Sequence, residues 1–185
     1  YNFLLFEQMQ KNPYLDQKFT KFINNENFEF DRSKILKILN SDLLEDAYKT
    51  ISKWQKYQPT PLESLNKLSN ELKLKNIFYK DESKRFGLKS FKALGGAYAV
   101  EKITKGKKDV IVSTATAGNH GKSVAWGAKN LGLNCKIFIS ENVSETRAEE
   151  MRNLNAEVIR VKGNYENSLN VCKEESKKNK WEIIQ

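Results

Sequence analysis

The stretch DVIVSTATAGNHGKSVAW, residues 109–126, indicates the fold of this chain more clearly than any other. A run of β-branched residues ends in small polar ones, and residues compatible with a helix follow from Gly118. That order predicts a strand over Asp109–Ser113, a tight turn, and then a helix. Similar strand-like runs occur at Ile77–Lys80, Cys135–Ser140, Ala156–Val161 and Trp181–Ile184.

Each gap between these runs is long enough to hold a helix. Strands that alternate with helices favour parallel pairing, because parallel neighbours need a crossover connection. Gly132 and Asn155 stand where the end of a helix favours a left-handed residue. We therefore expect an α/β fold, with a parallel sheet flanked by helices. Upstream, residues 1–56 predict mainly polar helices, and Leu62–Leu74 predicts an amphipathic helix.

Composition sets limits on function. The chain has 185 residues and a formal charge of +9, with lysines scattered rather than gathered into one stripe. This distribution argues against a nucleic-acid partner, and no apolar run is long enough to predict a membrane span. A metal site built from histidines needs several of them, and the sequence has only His120, so we expect no metal. Cys135 and Cys172 lie in apolar segments and fit buried free thiols in a reducing cytoplasm.

A second polar loop, KDESKRFGLKSFKALGG at residues 80–96, places Lys92 in the first turn of a predicted helix with Ser90 as its N-cap. The positive end of the helix dipole disfavours a charged amine there. An uncharged lysine amine is suited to covalent chemistry with carbonyl groups and to acting as a base. Position alone, however, fits an ordinary solvated lysine better.

The two loops taken together resemble a known family. SFKALGG and TATAGNHG, in that order on successive strand–helix units, resemble the fold type II pyridoxal-phosphate enzymes, whose fold is that of the tryptophan synthase β family. PTPL at residues 59–62 fits the same family. KDESKRFGLKSFKALGGAYA, GNHGKSVAW and RNLNAEVIRVKGNYENSL further resemble the diaminopropionate ammonia-lyases. The resemblance covers residues 57–185.

The resemblance implies roles for particular residues. Lys92 matches the lysine that holds pyridoxal phosphate covalently, Phe91 matches the aromatic residue beside the cofactor ring, and Asn119 matches the asparagine that hydrogen-bonds the ring hydroxyl. His120 could contact the cofactor or cap the helix. The polar residues of the first loop could shape the substrate pocket or only order the loop: Asp81, Glu82, Ser83 and Arg85.

The implied reaction is α,β-elimination of ammonia from 2,3-diaminopropionate, which ends in pyruvate. Where this family usually has Asp before GNHG, the present sequence has Ala117. Because that Asp is the base for the D-isomer in the family, the substitution predicts preference for the L-isomer. The alternatives are a serine or threonine dehydratase, a binding protein on the same α/β scaffold without cofactor, and, least favoured, a basic nucleic-acid binder.

The resemblance also implies a domain organisation. Residues 1–91 are expected to form an N-terminal helical segment and part of a larger cofactor domain, and residues 92–185 a smaller parallel α/β subdomain. A glycine-rich phosphate loop, which this family carries in its larger domain, does not occur in the sequence. We therefore expect the chain to be an N-terminal part of a longer enzyme. The family resemblance also implies that this enzyme is a homodimer.

Overall fold

The structure, a computed structural model, describes residues 31–185. The chain divides into two units, Tyr1–Asn40 and Ser41–Gln185. In the first unit, helix α1 (Arg32–Ile38) begins after Asp31, whose carboxylate accepts the backbone N–H groups of Ser33 and Lys34. The remainder of the helical region expected at the N-terminus, residues 1–30, lies outside the described residues. All that follows concerns the second unit.

The second unit alternates helices and strands along the sequence. In chain order the elements are α2 (Ser41–Ile51), β1 (Leu62–Ser64), α3 (Asn66–Glu71), β2 (Phe78–Lys80), α4 (Lys92–Thr104), β3 (Ile111–Ala115), α5 (Asn119–Leu131), β4 (Asn134–Ser140), α6 (Glu145–Arg152), β5 (Ala156–Val161), α7 (Tyr165–Asn179) and β6 (Glu182–Ile183). A short 3-10 turn, Arg85–Gly87, precedes α4. The predicted strand at Asp109–Ser113 is therefore displaced by two residues towards the C-terminus.

Strands β3 to β6 form one parallel sheet in the order β5-β4-β3-β6. Val112 of β3 pairs with Cys135 on one side and with Glu182 on the other. The predicted parallel α/β fold is confirmed. Successive strands run outward from β3 to β5, and the chain then returns to the other side of β3. The strand order thus reverses between β3 and β6, which is where open α/β sheets bind their ligands.

The segment before α4 differs from the prediction. β1 and β2 pair antiparallel, with Leu62 opposite Lys80, in a two-stranded sheet separate from the parallel one. The helix predicted over Leu62–Leu74 was wrong at both ends, since helix α3 spans only Asn66–Glu71. Pro59 and Pro61 hold the approaching backbone extended, and pairing with β2 then satisfies the backbone groups that a helix would have bonded internally.

Helices cover both faces of the parallel sheet. On one face, Val100 of α4 and Val124 of α5 pack with Val112 and Ile137 of the sheet in the larger core. On the other face, Cys172 of α7 packs against Phe138 in a smaller cluster. Both cysteines are buried free thiols, as predicted. This sandwich leaves the carboxyl ends of the strands, and the loops that follow them, to form a site.

Candidate active site

Helix α4 presents Lys92 at its first position. The residue before it, Phe91, already has helical backbone angles (φ −64°, ψ −21°) and is the N-cap residue, so the helix begins close to the predicted place. The predicted cap, Ser90, still serves the helix start, because its hydroxyl accepts the Lys92 backbone N–H at 3.2 Å. A buried serine thus holds the backbone beneath an exposed lysine.

The polar loop before Lys92 is ordered by a buried arginine. Arg85 is 6% exposed and binds Glu82 through Nε at 2.7 Å and Nη2 at 2.9 Å. Its Nη1 also donates to the carbonyl of Gln58 at 2.8 Å, and its Nη2 donates to Thr60 Oγ1 at 3.0 Å. Hydrogen bonds from Arg85 lower the pKa of Glu82 to about 2. These contacts favour the loop-ordering alternative for Glu82 and Arg85.

The neighbouring residues of this loop also make local contacts. The Asp81 carboxylate accepts the backbone N–H of Ser83 at 2.9 Å, which is a turn-forming contact. Hydrogen bonds from Ser83 lower the pKa of Asp81. Gln58 and Thr60, the two partners of Arg85 outside the loop, were not identified from the sequence. The only sequence signal near them was the PTPL stretch at residues 59–62, which contains Thr60.

Helix α5 presents Asn119 at its first position, directly after the end of β3. The preceding Gly118 is extended, and its N–H donates to Thr116 Oγ1 at 3.4 Å. A Cβ on Gly121 would lie 3.1 Å from the Thr116 carbonyl oxygen, so glycine allows the turn and the helix to approach closely here. Ala117, in the turn itself, is partly buried against the larger core.

His120 lies beside the point where the strand order reverses. Its Nε2 is 3.2 Å from the carbonyl oxygen of Ile184, immediately after β6. The contact joins the start of α5 to the neighbouring strand, as a donated hydrogen bond when Nε2 carries the proton. His120 therefore links the start of α5 to the residue that follows β6, a contact that neither of the two roles considered from the sequence includes.

The two helix starts are held side by side. The Ser123 hydroxyl, one turn beyond Asn119 on α5, donates to the Lys92 backbone carbonyl at 2.6 Å. A Cβ on Gly96 would lie only 2.2 Å from that hydroxyl oxygen, so the helices approach closely because residue 96 is glycine. Sequence reasoning missed Ser123, although its four-residue spacing from Asn119 places it on the same helix face.

The free groups at these helix starts fit a pyridoxal phosphate. Among residues 31–185, neither Lys92 Nζ nor the Asn119 amide has a side-chain hydrogen bond or ion pair. The ring of Phe91 is 64% exposed, which is a large apolar surface to leave in water. An unpaired amine, an unpaired amide and an exposed ring are the groups that would hold an aromatic aldehyde covalently, by a hydrogen bond, and by stacking.

A separate cleft lies away from these groups. It has a volume of about 440 Å³ and is lined chiefly by Trp54, Phe86, Glu101 and Trp126, and Lys92 and Asn119 do not line it. Phe86 stacks on Trp126 with ring centroids 4.6 Å apart, and Trp54 Nε1 donates to Glu101 at 2.7 Å. This aromatic cluster could not be predicted from the sequence, because it brings together three distant segments of the chain.

Within the described part of the chain, no group of three or more His, Cys, Asp or Glu residues is arranged to hold a metal ion. Over the same residues, none of the helices combines the length and the apolar character needed to cross a membrane.

The fold and the two helix starts define a class: α/β proteins with a parallel sheet and a ligand site at the carboxyl ends of the strands. Comparison with known proteins identifies the family. Residues 53–185 match the family of pyridoxal-phosphate dependent enzymes, and the chain belongs to it. The family match therefore indicates pyridoxal 5'-phosphate as the cofactor.

The individual relatives of this chain include two kinds of enzyme. Diaminopropionate ammonia-lyase of Escherichia coli K12 is 36% identical over 147 residues, covering 70% of this chain and 37% of the relative. The biosynthetic L-threonine dehydratase of Haemophilus influenzae is 34% identical over 128 residues, covering 69% of this chain and 24% of the relative. The crystal structure of the E. coli ammonia-lyase in complex with D-serine superposes with a TM-score of 0.73 at 33% identity, covering 78% of this chain and 42% of that one. The chain thus spans less than half the length of these relatives.

Proposed function

We propose that the whole protein is a pyridoxal-phosphate-dependent ammonia-lyase acting on 2,3-diaminopropionate, with pyruvate and ammonia as products. The observation that carries the proposal is the unpaired Lys92 amine at the start of α4. Ser123 holds this helix start next to the start of α5 through the Lys92 backbone carbonyl. Similarity to diaminopropionate ammonia-lyases supports the choice of substrate. Cofactor, substrate and products are all attributed to the full-length protein.

Each proposed residue has a separate task. Lys92 would hold the cofactor covalently through Nζ, Asn119 would hydrogen-bond its ring hydroxyl, and Phe91 would pack beside the ring. When bound, the cofactor supplies an electron-withdrawing ring that makes the α-proton of an amino acid removable. Lys92 Nζ would be the base that accepts this proton.

The reaction balances without a further reagent except water. The α-proton would go to Lys92 Nζ, the bond from the β-carbon to its amino group would break, and that group would take up a proton, in balance the one removed from the α-carbon, and leave as ammonia. Water then releases the second nitrogen from the three-carbon product, which gives pyruvate and a second ammonia. No oxidant or reductant is consumed.

We further propose that the enzyme prefers the L-isomer. A methyl group at position 117 cannot accept a proton, so this position offers no base on the cofactor face opposite Lys92. General-base assistance is worth about 10²- to 10⁴-fold in rate. The test compares kcat/KM for D- and L-2,3-diaminopropionate in the native enzyme and in Ala117→Asp. Equal rates on both isomers in the native enzyme would contradict the proposal.

A serine or threonine dehydratase is the second candidate, because L-threonine dehydratases also resemble this chain. The two functions differ in product. Threonine gives 2-oxobutyrate, whereas diaminopropionate and serine both give pyruvate, and only diaminopropionate gives two equivalents of ammonia. Measuring both oxoacids and the ammonia stoichiometry for each substrate decides between them.

The direct test uses the full-length protein. Lys92→Ala should remove both the visible absorbance of the lysine-bound cofactor and ammonia release. Lys84→Ala is the matched control, since Lys84 is an exposed lysine in the loop that precedes α4. Ammonia release that survives in Lys92→Ala would rule out the proposed role.

We also propose the domain organisation expected from the sequence: residues 92–185 as the smaller subdomain, residues 1–91 as part of a larger one, and a homodimer as the assembly. The parallel sheet that begins after α4 supports the first part. Limited proteolysis and light scattering of the full-length protein test the boundary and the dimer respectively.

A further inference from the structure

The Ser123 hydroxyl connects the two halves of the proposed site. It donates to the backbone carbonyl of Lys92 at 2.6 Å, and Ser123 is fully buried. Asn119 lies one turn earlier on the same helix, with its side chain exposed. We propose that Ser123 is a positioning residue, which fixes the first turn of α4, and with it the Lys92 amine, relative to Asn119. The inference rests on the proposed function.

The packing around this hydrogen bond leaves it little freedom. A Cβ on Gly96 would lie 2.2 Å from Ser123 Oγ and 2.7 Å from Ser123 Cβ. One turn further along α5, a Cβ on Gly127 would lie 2.8 Å from Ala97 Cα. Two successive contacts between small residues therefore bring the helix backbones together, and the hydroxyl reaches the Lys92 carbonyl across the first of them.

The hydrogen bond is not needed for α4 to form. Lys92 is the first residue of a 13-residue helix, so its carbonyl already has a place in the internal hydrogen-bond pattern. Removing the Ser123 hydroxyl should consequently leave both helices folded while freeing the start of α4 to shift or rotate. A displacement of about 1 Å in a reacting group can reduce a rate by about 10²-fold. The role is thus one of position rather than folding.

The test compares Ser123→Ala with Ser176→Ala in the full-length holoenzyme. Ser176 is a matched control, because it is a buried helical serine whose hydroxyl lies 2.6 Å from Ser113 Oγ, on the opposite face of the sheet. Both variants should shift the urea denaturation midpoint by similar amounts. Only Ser123→Ala should change the visible circular dichroism of the bound cofactor, and it should lower kcat by about 10-fold or more with a smaller change in KM.

Identical circular dichroism and identical kcat in the two variants would overturn the positioning role. Borohydride reduction followed by peptide mapping separates this failure from failure of the proposed function. Cofactor found on Lys92 in two otherwise equal variants would remove only the role of Ser123. Cofactor found on another lysine, or on none, would remove the proposed function as well.

Discussion

Glu82 and Arg85 are joined by two roughly parallel hydrogen bonds, Nε to Oε2 at 2.7 Å and Nη2 to Oε1 at 2.9 Å. Because Arg85 also donates to the Gln58 carbonyl, the pair anchors the loop before Lys92 to the segment before β1. Arg85 is buried and Glu82 is partly buried, so replacing one of them leaves the charge of the other poorly compensated.

Arg85→Met is therefore expected to lower the free energy of unfolding by about 3 kcal/mol. Lys84→Met, at an exposed position next to it, should change this free energy by less than about 0.5 kcal/mol. Urea denaturation of both variants measures the difference. Equal effects would mean that the ion pair does not stabilise the loop.

The same pair predicts how stability depends on acid. Hydrogen bonds from Arg85 lower the pKa of Glu82 from 4.5 to about 2 in the folded protein. A carboxyl group whose pKa is lowered by folding stabilises the folded state at every pH above its ordinary pKa. This contribution is lost as pH falls from about 4.5 towards about 2. Glu82→Gln should lack that part of the decline, so the stability difference from the native protein should shrink between these two pH values. A difference that stays constant with pH would contradict the assignment.

Thr114, on β3, is buried, and within residues 31–185 its hydroxyl has no hydrogen-bond partner. An unpaired buried hydroxyl destabilises a fold, so Thr114→Val should leave stability unchanged or raise it by up to about 1 kcal/mol. Thr104→Val is the control, since the equally buried Thr104 hydroxyl donates to the Val100 carbonyl at 2.9 Å. Thermal denaturation compares the two. Greater destabilisation by Thr114→Val than by Thr104→Val would show that the Thr114 hydroxyl has a partner.

Gly95 and Gly96 are adjacent in α4 but should respond oppositely to alanine. A Cβ on Gly95 meets nothing within 4 Å, so Gly95→Ala should stabilise the helix by about 0.5–1 kcal/mol. A Cβ on Gly96 would overlap Ser123, so Gly96→Ala should destabilise by about 1–3 kcal/mol. Urea denaturation measures the change in the free energy of unfolding for each variant. If both substitutions change it in the same direction, α4 and α5 pack less closely than described.

The two thiols should be unreactive in the folded protein. Burial raises the pKa of Cys135 from 9.0 to about 12, and burial also raises the pKa of Cys172. In the unfolded chain the Cys135 thiol loses its proton at a lower pH than in the folded protein. The free energy of unfolding should therefore fall as pH rises above about 9. A colourimetric thiol reagent at pH 8 should label neither cysteine until denaturant is added. Rapid labelling without denaturant would contradict the burial.

Features that depend on neighbouring residues could be predicted from the sequence. The strand at Ala156–Val161 has the predicted bounds. Gly132 (φ 69°) and Asn155 (φ 64°) have the expected left-handed backbone, because a helix end imposes that geometry locally. The parallel arrangement followed from the alternation of strands with helices.

Features that depend on distant partners could not be predicted. The pairing of β1 with β2 replaced the first turn of a helix that the leucine spacing favoured. The Ser123 contact exists only after two helices pack, and the spacing of Ser123 from Asn119 indicates its helix face but not its partner on the other helix. Lys92, Phe91 and Asn119 were found through family resemblance, and their roles stay predictions.

The short strand β6 has a consequence for the order of folding. It joins the sheet through only two residue pairs, with residues of β3 that lie far earlier in the chain. Contacts between distant residues carry a larger loop-closure entropy and form late. Since His120 contacts Ile184 immediately after β6, the start of α5 gains its last support in this late step. A folding intermediate without β6 would therefore carry a finished α4 with Lys92 beside an α5 whose first turn is still loose.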